Sequence, residues 1–213
     1  QHFRLGEARS VGHAVTALYT PDFDRHGWHS PHTVIDVVTD DMPFLVDSIT
    51  MLVYRHDLVI HRLLHPLLGI ERSGDGALQS TRPRGAAGSQ PESWIHIEID
   101  RIGDAALIER LRQEIVDVLA DVRAAVGDGG VMQLRMHEAV DEMAVATVAE
   151  ADEVAAYLRW IAANNYVFLG YADYRAAAGD SMLVRSPGSG LGILRNPEHP
   201  HFGHCLAGIP DVV

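Results

Sequence analysis

At 213 residues, with 47% apolar and 22% charged residues, the chain has the composition of a soluble globular protein and the length for one large domain or two small ones. Its 17 basic and 29 acidic residues leave a net charge of −12, and no Lys/Arg stripe overrides that total, so a nucleic-acid backbone is excluded as the expected partner. Cys205 is the single cysteine, which rules out an intrachain disulfide and points to a reducing cytoplasm, and no apolar run is long and uncharged enough to span a membrane. No charged-then-apolar signal segment opens the chain, and with Gln1 first and Val213 last it reads as a piece of something longer.

Residues 11–20 read as a strand, closed by the turn-forming Pro21-Asp22, and residues 22–32 as a loop. A β-branched run, residues 33–39, predicts the next strand. Leu45, Ile49, Leu52, Val53 and His56 then fall at helical spacing, with Pro43 suited to a first turn and Asp40 and Asp41 placed to favour the helix start. Residues 58–70 read as a strand that Pro66 pushes to an edge or a bulge. Residues 71–92, rich in Gly, Ser, Pro and Arg, predict a long flexible connection. From Trp94 to Ile99 the pattern alternates, His96 and Glu98 on one side and Ile95, Ile97 and Ile99 on the other, as in a half-buried strand.

Asp104 caps the strongest helical pattern, whose stripe runs through Leu107, Leu111, Ile115, Val118, Leu119, Val122 and Val126 until Gly127-Asp128-Gly129-Gly130 is expected to stop it. Residues 131–146 and 151–163 read as two further helices, the second leaving through Asn164-Asn165. Tyr166–Arg175 and Ser181–Arg185 read as a hairpin, and the chain from Ser186 onward as loop.

Strand, helix, strand, strand, helix is the order of an α+β, ferredoxin-like sandwich with a mainly antiparallel sheet, half of it open to a partner. The expected organisation is an N-terminal strand and loop (1–32), the α+β unit (33–130), a helical connection (131–165) and a last segment of strands (166–213).

The acidic turn of residues 39–48 invites three readings: a capped helix start, a ligand cradle, or an acid–base pair. Capping follows from residue type alone, yet free N–H groups at a helix start also suit a carboxylate. His199, His201, His204 and Cys205 crowd four possible metal ligands into seven residues, without the spacing of a structural zinc site. His61 and His65 share a strand face and are a second candidate pair of equal weight. Gly188, Gly190 and Gly192 form a glycine-rich turn that matches neither dinucleotide nor Walker spacing. Cys205 has no positioned base, so no catalytic residue is assigned and no metal site is expected.

The stretch TDDMPFLVDSITMLVYRHDLVI, Thr39–Ile60, resembles the opening of an ACT domain, a βαββαβ module that binds amino acids and regulates metabolic enzymes; Asp41, Pro43, Leu45 and Leu58-Val59-Ile60 carry the match. Three blocks, SPHTVIDVVTDDMPFLVDSITM, LRWIAANNYVFLGYADYR and GSGLGILR, are similar to the N-terminal regulatory region of the large NAD-specific glutamate dehydrogenases of bacteria, from about Phe23 to Arg195. The resemblance implies an ACT-like unit followed by the start of a second one near Tyr166. It implies no cofactor in this stretch, with NAD and the catalytic lysine belonging to a distant core of the parent enzyme. The implied partners are other domains and subunits of a homo-oligomer.

One departure stands out: where ligand-binding ACT domains have Gly after the Pro, this chain has Phe44, whose ring could fill an amino-acid pocket. Two functions follow, with a stand-alone metal-binding protein using the histidines of 199–205 as a remote third. As a sensor, the chain would bind an amino acid through Asp40 or Asp41, Met42, Phe44, Leu45 and Val46. As an assembly module without ligand, it would present strand 93–99, with Ile95, Ile97 and Ile99, to another subunit.

Overall fold

The computed structural model describes residues 1–147, 150–176 and 183–196. They fall into two compact units, residues 1–120 and 121–213. Among the described residues no helix is long and apolar enough to cross a membrane.

The first unit is built on one antiparallel sheet. Its strands are β1 (Val15–Tyr19), β2 (Thr33–Asp40), β3 (Ile60–Leu64), β4 (Leu67–Arg72), β5 (Leu78–Arg82) and β6 (Gln90–Ile99). They lie in the order β1-β2-β6-β4-β5, with β3 beside β4 along the same flank of β6. Pro66 explains the gap between β3 and β4. It has no N–H to give a ladder, yet its carbonyl still accepts from the Trp94 N–H at 3.1 Å. The antiparallel α+β sandwich is therefore as expected, with one change of connection. The edge beside β2 is taken by β1, which comes before the βαββα run rather than after it.

Register divides the two faces of the sheet. Ile35 lies opposite Ile97, Val37 opposite Ile95 and Thr33 opposite Ile99. All six side chains are fully buried, as are the stripes Leu45, Ile49, Leu52 and Val53 of α3 (Leu45–Arg55) and Leu111, Ile115 and Leu119 of α4 (Ala105–Ala144). Glu114 of α4 ties the two helices together, meeting His56 at 2.5 Å and Arg55 at 3.5 Å. Asp104 caps α4 as anticipated, accepting from the Ala106 N–H at 2.9 Å.

The assembly reading of Ile95, Ile97 and Ile99 is overturned by this packing. Strand β6 is central, hydrogen-bonded on both sides, and its three isoleucines are core residues with no exposed surface. An alternating strand looks the same in sequence at an edge or in the middle, because alternation reports faces and says nothing of neighbours.

The opposite face of the sheet is only partly apolar. Val38, Ile70 and Trp94 form a small cluster with Leu5, Val15, Leu68 and Leu78 around it. Across it lies α1 (His2–Gly6), a short helix inside the segment 1–32 that was expected to hold a strand and a loop. Gly6 touches down on the Trp94 indole, and a Cβ there would run into the ring, so only glycine permits this approach. A four-residue helix, α2 (Phe23–His26), capped by Asp22 and ended by Gly27 at φ 76°, interrupts the loop read at 22–32.

Residues 71–92 are also more ordered than composition suggested. They contain the last residues of β4, all of β5 and the start of β6. Strand β5 reads Leu-Gln-Ser-Thr-Arg and is mostly exposed, so it shows no apolar alternation; pairing with β4 makes it a strand.

The glycines at 127–130 do not stop α4, which continues to Ala144. The buried positions Leu111, Ile115, Leu119, Val122, Ala125, Asp128 and Met132 keep one helical phase through them. Tertiary burial therefore outweighs about 1 kcal/mol of lost propensity per glycine. In the second unit, α5 (Ala151–Trp160) ends in a wide turn, Ile161–Asn165, where Asn164 adopts φ 61°. Strand β7 (Gly170–Tyr171) pairs with β10 (Leu191–Gly192), and β8 (Tyr174–Ala176) with β9 (Leu183–Arg185). The expected hairpin is thus realised by β8 and β9, while Tyr171 pairs with the segment read as loop.

Candidate functional site

The turn between β2 and α3 is the site that sequence singled out, and its polar groups are already engaged. Asp40 accepts from Arg9 Nη2 at 2.8 Å and from the Gly12 N–H at 2.9 Å. Asp41 accepts from Ser93 Oγ and from Arg84 Nη2, each at 2.9 Å, while its own N–H donates to the Pro91 carbonyl. Both carboxylates therefore have internal counter-groups. Leu45 belongs to the core, Met42 and Val46 are half-buried, and Phe44 is 42% exposed.

Phe44 holds φ 70° and ψ 0°, the left-handed conformation that glycine adopts without strain. It occupies the N-cap position of α3 and offers no side-chain cap. The N-cap position falls to Phe44 rather than to Asp40 or Asp41, whose oxygens engage Arg9, Gly12, Arg84 and Ser93.

Beneath the turn lies a buried ion network. Arg9, whose side chain is 1% exposed, reaches both Asp40 and Glu92, the latter at 2.6 Å. Arg72 grips the same Glu92 through Nε at 2.6 Å and Nη2 at 2.9 Å. Burial pushes the Glu92 carboxyl up, but hydrogen bonds from Arg72 and Arg9 and their charge outweigh it and hold the group below its ordinary value.

The other candidates separate. His61 pairs with Asp100 at 2.7 Å and stacks on His32 with ring centres 4.1 Å apart, whereas the buried Nε2 of His65 has no partner. The two histidines thus sit in different surroundings. His199, His201, His204 and Cys205 lie outside the described residues.

A different convergence was not visible in sequence. His2 of α1, Asp36 of β2 and His96 of β6 bring one donor atom each within 4.8 Å of one another. The cross-strand half of it follows from register, since Asp36 lies directly opposite His96, but His2 arrives from a separate helix.

A strand–helix turn of this shape on an antiparallel sheet, with two helices over one face, defines an ACT-like unit. The chain belongs to the glutamate dehydrogenase ACT1 domain family, whose profile matches residues 1–115. It is similar to an NAD-specific glutamate dehydrogenase of Pseudomonas aeruginosa, 36% identical over 91% of this chain, and to that of Halomonas elongata, 34% identical over 84%. A third relative of the same description, from Mycobacterium tuberculosis, is 29% identical over 91%. In each case the chain spans 12% of the relative's length.

Proposed function

We propose that this chain is a regulatory and assembly segment of a large cytoplasmic, homo-oligomeric NAD-dependent glutamate dehydrogenase, that it performs no catalysis, and that it works through protein contacts rather than by binding an amino acid at residues 39–48. The observation that carries this reading is the state of the turn. Asp40 and Asp41, the two groups able to meet an α-ammonium, are already paired with Arg9 and Arg84. Displacing such partners would leave charges without compensation. Phe44 stands where close approach of a ligand to the backbone needs glycine.

The contact surface is then on the outside of α3. Met51 and Tyr54 are exposed by 70% and 60% and are spaced on the face of α3 opposite its buried stripe, with Phe44, 42% exposed, at the helix start. Relatives of roughly eightfold greater length hold ample chain to cover it.

Thermal unfolding against a panel of L-amino acids, with 2-oxoglutarate and NAD beside them, tests the reading. No compound is expected to raise Tm. A ligand at a hundred times its Kd would add about 2.7 kcal/mol, so a selective rise with one amino acid overturns the proposal in favour of a sensor.

A further inference from the structure

The four buried carboxylates among the described residues are not compensated alike. Glu92 has Arg9 and Arg72, Glu98 has Arg62 at 2.9 Å, and Asp128 has Arg195. Asp36, 1% exposed, meets no arginine or lysine; its partners are His96 Nδ1 at 2.7 Å, His2 Nδ1 at 3.7 Å and the Tyr19 hydroxyl, which donates to Oδ2 at 2.9 Å. A buried carboxylate whose countercharges are both histidines is compensated only when one of them holds a proton, or when a cation replaces that proton.

The Asp36 hydrogen bond raises the His96 pKa, so a proton there is one form of that compensation, and the geometry around the cluster also suits a cation. His2 Nε2 donates to the Val37 carbonyl at 3.3 Å, which fixes the tautomer and leaves the Nδ1 lone pair facing Asp36. Burial lowers the pKa of the His2 ring, against the opposing pull of the Asp36 charge. Tyr19 holds the second carboxylate oxygen, its own proton retained by burial and by the Asp36 charge. A carbonyl behind one imidazole and a phenol behind the carboxylate are the outer contacts that orient metal ligands.

We infer that His2, Asp36 and His96 form a site for a divalent transition metal of the zinc class, on the sheet face away from α3 and α4. Metal–ligand bonds of about 2.0–2.2 Å place neighbouring donors roughly 3.3 Å apart, which side-chain adjustments alone can reach from the present separations. Two imidazoles and a carboxylate leave a fourth position for water. On binding, the ion takes the place of the proton that His96 shares with Asp36, and that proton leaves to solvent.

The test uses the full 213-residue chain, prepared without a histidine tag and stripped with chelator. Titration with Co²⁺ is expected to give one equivalent with the visible absorption of a low-coordinate site, and Zn²⁺ is expected to displace it and raise Tm. Affinity should rise with pH as the proton that Asp36 helps His96 to hold is given up. His2→Gln, a change at a partly buried position on a short helix, should weaken binding at least tenfold, and Tyr19→Phe by about tenfold. Joint replacement of His199 and His201 by Gln should leave binding unchanged. The inference is overturned if no stoichiometric binding occurs, or if His2→Gln binds as tightly as the parent chain while the His199/His201 variant does not.

Discussion

Phe44 carries more information than any other single side chain of the turn. A left-handed backbone at a non-glycine residue costs about 1 kcal/mol, and here no cap hydrogen bond offsets it. Phe44→Gly is therefore expected to be more stable than Phe44→Ala by about 1 kcal/mol in denaturant unfolding, the reverse of the usual order near a helix. Equal stabilities would mean that the alanine variant relaxes out of the left-handed region. Glu92 gives a prediction in pH. Its carboxyl is depressed in the folded state, so its contribution is complete above the ordinary value of 4.5 and is lost as pH falls through the lower folded value. Calorimetry should show Tm falling as pH drops below about 4.5. Arg9→Met should weaken that fall, because less of the depression survives with one guanidinium.

At the scale of elements, α4 shows how burial overrides propensity. Gly127 and Gly129 have ordinary helical backbone, and a Cβ at either would meet nothing within 4 Å. Replacing each by alanine is expected to stabilise the chain by about 0.5–1 kcal/mol, read from the denaturant midpoint at unchanged m-value. A loss of stability would show that the second unit needs a helix able to bend there. Elements whose apolar residues face one way were legible in sequence. Strand β2, helix α3, strand β6 and the start of α4 all have stripes that physical chemistry reads without tertiary context. Those it hid are α1 and β5, which are too short or too polar to carry a stripe. Trp94 holds α1, and the backbone of β4 holds β5.

For the whole molecule, the proposed contact surface is the exposed pair Met51 and Tyr54 of α3, with Phe44 at its start. Met51→Glu combined with Tyr54→Glu, made in the full-length protein, is expected to loosen its assembly in sedimentation, while unfolding of the 213-residue chain moves by no more than about 0.5 kcal/mol. Assembly that is indifferent to both charges would place the contact elsewhere.

What the sequence determined by itself was the kind of unit. Alternation, helical spacing and the Asp-x-Pro turn are local patterns, and local patterns set which face of each element is apolar. They led to an antiparallel α+β sandwich and to the family that the comparison with relatives bears out. The tertiary structure decided everything that depends on which elements become neighbours. It made β6 the centre of the sheet, so that Ile95, Ile97 and Ile99 became core. It gave Asp40 and Asp41 their arginines, and it carried His2 to Asp36 and His96. Pairing across tens of residues is a property of packing, and no window along the chain contains it.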